Sequence, residues 1–289
     1  MATGAKKRTL VKKTKRPATL KQMGIMPYMR QLDFFDPIVH KPKITMIGAG
    51  GIGSWVTFQL AKLGIQDITV IDHDRVAPHN LSTTPYFPTD MGKHKVRALQ
   101  PVVAPHGCKI TPIAKKYEGG KFPPTDILIS GVDSMDGRRL LFAEAVKQKI
   151  PFFIDGRIGG ENLRIYAIQP GKPKDRALYK ATLVPNSRVS PLPCTGQQVI
   201  DVGWMTASYI TRAVRQWVVF KKYTPEIIKK VDTLEMIVAD PILPKLTAAQ
   251  KRARARVERL MHIMQRIGAP DAPPSQHGAG PRRADAGKN

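Results

Sequence analysis

The chain has 289 residues, 42% hydrophobic and 24% charged, which is ordinary for a globular protein and ample for a real core. Forty-seven Lys and Arg against 22 Asp and Glu leave a net charge of +25, so the expected partners are polyanions: nucleotides, RNA, DNA or an acidic protein. The two cysteines, Cys108 and Cys194, lie far apart without a C-x-x-C, and the seven histidines show no metal-ligand spacing, which argues against a zinc ribbon and a disulfide framework.

No run of 18 apolar residues suggests a membrane span, and the basic N-terminus lacks the apolar region of a signal peptide. A cytoplasmic protein is expected. Residues 1–16 hold seven basic side chains and no acid, and residues 251–289 hold nine basic against three acidic. Both ends read as solvated, with non-specific nucleic-acid contact as the alternative role.

In chain order, 1–20 reads as a disordered basic arm and 24–39 as an ordered arm or short helix. Strand one is 43–48. A helix starts near Gly51, carries Trp55, Val56, Leu60 and Leu63 at helical spacing, and ends at Gly64. Strand two is 67–72, completing a right-handed β-α-β unit. An irregular stretch (73–91) leads to a helix over 92–103. Strands follow at 108–117 and 126–132, then a helix at 135–149 and a strand at 151–158. Buried strands alternating with helices predict an open α/β sheet.

After residue 160 the pattern changes to an alternating strand (162–170) of a smaller antiparallel part. Residues 171–196 read as a long crossing loop. A helix over 198–220 places Val199, Val202, Thr206, Ile210, Ala213, Val214, Trp217 and Val218 on one face. A last strand candidate is 234–241. The expected fold class is α/β, a doubly wound, Rossmann-like, mostly parallel sheet with a smaller antiparallel C-terminal part. The expected organisation is a nucleotide-binding domain over 21–245, a basic helix over 246–267 and a disordered tail over 268–289.

The chemistry starts at "ITMIGAGGIGSW" (44–55). Gly48, Gly50 and Gly53 fit G-x-G-x-x-G, with Gly51 between them, a turn that lets backbone approach a phosphate. Asp72, 19 residues after Gly53, stands where an acid hydrogen-bonds ribose hydroxyls. To this point NAD and ATP fit equally. Asn80, Lys95, Asp133 and Arg138 then fall at other strand ends on the same sheet edge. A lysine, an arginine and a Mg²⁺-competent carboxylate aimed at one point suit phosphoryl chemistry rather than hydride transfer.

The ordered set G-x-G-x-x-G, D-x-D, N-L, G-x-x-K and D-x-x-x-x-R resembles the ThiF/MoeB/HesA superfamily, which includes the ubiquitin-activating enzymes. The resemblance covers roughly Tyr28 to Val219 and is strongest to small prokaryotic ThiF-like proteins, which share features such as "DGRIGGE" (155–161). It implies ATP-dependent adenylation: the C-terminal glycine carboxylate of a ubiquitin-like or sulfur-carrier protein attacks the α-phosphate of ATP·Mg²⁺ and pyrophosphate leaves. By position, Gly48, Gly50 and Gly53 form the nucleotide turn and Asp72 binds ribose. Asp74 and Asn80 line the site, Lys95 neutralises phosphate, Asp133 holds Mg²⁺ and Arg138 supports its loop. Arg30 resembles a family arginine that reaches a phosphate from a neighbouring subunit, which implies a homodimer.

One position departs from the family. Its N-L-x-R-Q reads Asn80-Leu81-Ser82-Thr83-Thr84 here, so Thr83 replaces an arginine, and Arg75, Arg157 or Arg30 is left to compensate. Cys194, before the long helix, is a candidate nucleophile for an activated acyl group, against a structural or idle thiol; Cys108 reads as structural. Bland readings stand beside the others: Asp133 as a helix cap, Arg138 as a surface ion-pair partner, Trp204 and Trp217 as packing. Two further functions stay open: a protein of this fold acting on or binding tRNA or other nucleic acid, and an NAD-dependent oxidoreductase.

Overall fold

The computed structural model describes residues 24–185, 187, 198–231 and 236–237, with 252, 255 and 259 as helical residues. The basic arm at 1–20, Cys194 and the tail at 268–289 lie outside the described residues, as does most of the helix expected at 246–267. By contacts the chain divides into two units, Met1–Lys245 and Leu246–Asn289.

The first unit is built on an eight-stranded sheet with the order β3-β2-β1-β4-β5-β6-β7-β8. The strands are β1 (Ile44–Ile47), β2 (Ile68–Ile71), β3 (Thr111–Ile113), β4 (Ile127–Ser130), β5 (Phe152–Gly159), β6 (Asn162–Ile168), β7 (Glu226–Lys230) and β8 (Met236–Ile237). Neighbours from β3 to β5 pair in parallel, and β6, β7 and β8 pair antiparallel. The sheet is the expected one, with a smaller antiparallel extension.

Among the described residues, five α-helices cover it: α1 (Gly53–Leu63), α2 (Lys95–Val103), α3 (Met135–Lys147), α4 (Pro173–Ala181) and α5 (Ile200–Phe220). The pleat decides which face each strand residue serves. Ile44 and Met46 of β1, Ile127 and Ile129 of β4, and Phe152 and Ile154 of β5 pack with α1, α2 and α5. Ile47, Leu128 and Phe153 point the other way, to Leu141, Phe142 and Ala145 of α3 and Tyr179 of α4. Helices on both faces make the sheet doubly wound. Each fully buried aliphatic contributes about 1.5–3 kcal/mol, so these two layers are the main source of stability.

Helix α1 stops at Gly64, whose φ of +97° lets Gly64 and Ile65 donate back to Ala61 and Leu60. It starts two residues later than expected, at Gly53, because Gly51 and Ile52 belong to the turn. Residues 171–196 are not structureless throughout. Helix α4 opens on Pro173, which suits a first turn, with Asp175 complementing the helix dipole. It buries only Asp175 and Tyr179, so no apolar stripe announces it. Strand β7 lies outside the expected elements, and only the backbone pair Met236–Ile237 of the strand expected at 234–241 is described. On α5 the expected face is buried from Val202 to Trp217, but Val199 is the exposed N-cap and Val218 is half-buried.

Candidate functional site

The order of strands reverses at β1, which has β2 on one side and β4 on the other. Ligands of open α/β sheets bind at such a point, outside the carboxyl ends of the strands. The turn after β1 is fitted tightly to both neighbours. Gly48 takes a φ of +95°, and a Cβ there would stand 2.7 Å from the Gly131 carbonyl at the end of β4. A Cβ on Gly53 would collide with the Gly48 carbonyl, so α1 can pack close behind the turn only with glycine there. Gly50 has nothing within 4 Å of its missing side chain, which leaves room for a ligand. Gly51 is covered by Gln198, whose Nε2 donates to its carbonyl at 3.3 Å.

Asp72 closes the turn from β2. One carboxylate oxygen accepts from the Ala49 N–H at 2.6 Å, and the other accepts from the Asp74 N–H at 2.7 Å. A carboxylate has about four acceptor sites, so two such bonds leave capacity for ribose hydroxyls. The Tyr86 hydroxyl also holds the turn, donating to the Ala49 carbonyl at 2.6 Å. Burial, with Asp72 and Asp90 nearby, pushes that hydroxyl well above its usual range, so it stays a donor.

Lys95 opens α2 and is almost buried, its ammonium 2.8 Å from Asp74 Oδ2. Burial alone would raise the Asp74 carboxyl; the Lys95 hydrogen bond and charge, with His73 and His79, bring it below its ordinary value. Asn80 accepts from the Ala77 N–H at 3.0 Å through Oδ1 and closes the turn Pro78–Asn80. Thr83, where the family has arginine, is tied to α1 by Trp55 Nε1, which donates to its carbonyl at 2.9 Å. Asp72, His73 and Asp74 bring ligand atoms within 4.8 Å of one another, but Lys95 already neutralises Asp74 there.

Asp133 is exposed just beyond the carboxyl end of β4. It is not the cap of α3: Ser134 is, accepting from the Gly137 N–H at 3.2 Å. An exposed carboxylate free of cap duty at the strand end next to the glycine turn fits Mg²⁺, which takes one or two carboxylates and fills its other positions with phosphates and water. Arg138 is buried, not on the helix surface; its Nη1 donates to the Asp133 carbonyl at 2.9 Å and its Nε lies 3.3 Å from Asp155 Oδ1. Arg157 is not available to replace the missing arginine. It is held at 2.6 Å by Asp155, bonded to Thr182, and lies over the Tyr166 ring at 4.5 Å. Arg75 donates to the Gly92 carbonyl at 2.7 Å and is exposed, and Arg30 is exposed on the short helix Met26–Gln31.

The turn Gly48–Gly53 is therefore bridged to the β2 end by Asp72 and packed against the β4 end at Gly131. Cys108 is buried, with its thiol pushed up to about 12 by burial, in keeping with a structural role. Asp155, Tyr179, Tyr86 and Gln198 are the site residues that sequence reasoning missed. Only Asp155 gave a signal: a carboxylate inside an apolar strand must be paired. Away from the turn, a cavity of about 710 Å³ lies between α1 and α5, lined by Trp55, Ile200, Trp204, Met205 and Tyr209 among others. Trp217, by contrast, is buried and stacked on Phe152 at 4.8 Å between ring centroids.

The catalytic subunit of the NEDD8-activating enzyme E1 of Dictyostelium discoideum is 33% identical to this chain over 107 residues, 34% of this chain and 23% of that one. The tRNA threonylcarbamoyladenosine dehydratase of Escherichia coli K12 is 28% identical over 129 residues, 41% of this chain and 47% of the dehydratase. The chain thus spans less than half the length of these curated relatives. Among solved structures, E. coli MccB with ATP superposes with a TM-score of 0.56 at 20% identity, over 75% of this chain and 67% of that one, a likeness of fold. The ThiF family model matches residues 30–251. That match takes in every strand described above and most of the chain: the protein belongs to the ThiF family.

Proposed function

We propose that the protein is an ATP-dependent adenylyltransferase that activates the C-terminal carboxylate of a small ubiquitin-like or sulfur-carrier protein. The observation that carries this reading is the joining of the glycine turn to Asp72 on one side and to the Asp133-bearing loop on the other. Family membership and the similarity to the NEDD8-activating subunit support ATP over a dinucleotide. Asp72 would take the ribose, the turn the phosphates, and Lys95 the phosphate charge, with Asp74 and Asn80 shaping the wall. A carrier carboxylate oxygen bonds to the α-phosphorus, the bond from that phosphorus to the bridging oxygen breaks, and pyrophosphate leaves with the electron pair. Mg²⁺, held by Asp133 and the phosphates, would supply neutralising charge for the departing pyrophosphate.

Two extensions follow the same reading. The chain acts as a homodimer, with Arg30 lent across the interface; the exposed apolar side chains Ile200 and Trp204 beside the α1–α5 cavity support a covered surface. Cys194 takes the acyl group as a thioester, releasing AMP. Such a protein works in the cytoplasm, and no helix among the described residues is long and apolar enough to cross a membrane. A second reading, action on tRNA, is favoured by the similarity to the tRNA dehydratase and by the net charge of +25. Mass spectrometry of a Gly-Gly-ended carrier incubated with the protein and Mg·ATP separates them. A gain of one adenylyl group supports the first; an unmodified carrier and a modified tRNA support the second.

A further inference from the structure

Asp155 stands in β5 after Phe152, Phe153 and Ile154 and is fully buried. A carboxylate there is costly unless its charge is balanced. One arginine would suffice, yet two reach it: Arg138 Nε at 3.3 Å on one oxygen and Arg157 Nε at 2.6 Å on the other, where the Tyr179 hydroxyl also donates at 2.9 Å. Other donors of the two forks reach separate segments of the chain. Arg138 Nη1 grips the Asp133 carbonyl at 2.9 Å, and Arg157 grips the Thr182 carbonyl and hydroxyl at 3.2 and 3.0 Å. Arginine suits this task because its planar fork fixes the direction of one donor once another is held.

We infer that Asp155 is a positioning residue for Asp133: it holds Arg138 in the orientation that grips the Asp133 carbonyl, and so sets where the Asp133 carboxylate points. The inference rests on the reading of Asp133 as a magnesium ligand. Asp155 is fully buried, and its effect on Asp133 runs through Arg138.

Binding of a fluorescent ATP analogue to the full chain, titrated with and without Mg²⁺, tests it without requiring turnover. Asp155→Asn keeps the shape and gives up the charge. Its Mg²⁺-free affinity is expected to stay within about twofold of the unaltered chain, while the Mg²⁺ concentration for half-maximal enhancement rises about tenfold, the usual size of an outer-sphere effect. Arg138→Met leaves Asp155 paired one-to-one with Arg157, so it reports even if Asp155→Asn does not fold, and is expected to give the same rise. The double variant should rise no further than either single one, since both act on one link. An unchanged Mg²⁺ requirement in either folded variant, an equal loss with and without Mg²⁺, or additive effects would overturn the inference. Asp133→Ala distinguishes the two levels. If it also leaves the Mg²⁺ requirement unchanged, the magnesium reading of Asp133 falls; if it alone raises it, only the role of Asp155 falls.

Discussion

Lys95 and Asp74 form a 2.8 Å ion pair at the start of α2, the lysine nearly buried and the carboxylate half exposed. An ammonium at a helix N-terminus sits at the positive end of the dipole and needs an anion nearby. Asp74 supplies it; under the proposed adenylation a phosphate would compete with Asp74 for the lysine. Lys95→Ala is expected to lower the rate of pyrophosphate exchange about 10²-fold, the scale of losing one preorganised charge donor. A loss of less than threefold would show that the lysine only holds Asp74.

The same pair has a pH signature. The Asp74 carboxyl is held below its ordinary value in the folded chain, against burial, by Lys95 and the two histidines. A lowered folded value means the pair stabilises above the unfolded carboxylate range and loses that contribution as pH falls through the folded value. Urea midpoints should therefore be insensitive to Asp74 titration from pH 7 down to the carboxylate range. Below it the midpoint of the unaltered chain should approach that of Asp74→Asn. A difference between the two that grows on acidification would contradict this.

Two glycines of one turn should fail in different ways. Gly48→Ala places a Cβ against the Gly131 carbonyl in a left-handed conformation and is expected to cost about 2 kcal/mol or more. Gly50→Ala meets nothing within 4 Å, so its melting temperature should match the unaltered chain while nucleotide affinity falls. Equal affinities for Gly50→Ala and the unaltered chain would place the phosphates elsewhere.

Thr83 occupies the position of the family arginine, and Trp55 fixes its carbonyl through a 2.9 Å hydrogen bond. With Arg157 committed to Asp155, a restored guanidinium has a defined place to act. Thr83→Arg is expected to raise the exchange rate about tenfold or more. No gain would show that Arg75 or Arg30 already serves, and alanine substitutions at those two would then identify which.

Buried Cys108 gives a chemical check on the core. A thiol raised to about 12 is almost wholly protonated at pH 8 and shielded from reagents. In a Cys194→Ala background, no thiol should titrate with a disulfide reagent until denaturant is added. Rapid native labelling would mean that the β2–β3 side of the core opens readily.

The parts legible in sequence are those where local pattern and burial agree. Strands β1, β2, β4 and β5 are short apolar runs, α1 has an apolar stripe and a glycine stop, and the glycine turn is a spacing that few other geometries use. Helix α4 was not legible because it buries a carboxylate and a tyrosine rather than a stripe. Strand β7 reads E-I-I-K-K, and its pairing with β6 rather than any alternation makes it a strand. Asp72 and Lys95 could be singled out by spacing. The partners of Asp155 lie 17 residues before it, two after and 24 after, so the cluster exists only in three dimensions. The same distance effect kept the surface reading of Arg138 open beside its loop-supporting role, and left Arg157 as a candidate phosphate ligand.

The most direct measurement is exchange of labelled pyrophosphate into ATP by the full chain, with Mg²⁺ and a small β-grasp protein ending in Gly-Gly. Adenylation is reversible, so the expected result is carrier-dependent exchange that Asp133→Ala abolishes and Cys194→Ala leaves intact. Absence of exchange with every such carrier, from a protein that binds ATP normally, would contradict the adenylyltransferase account.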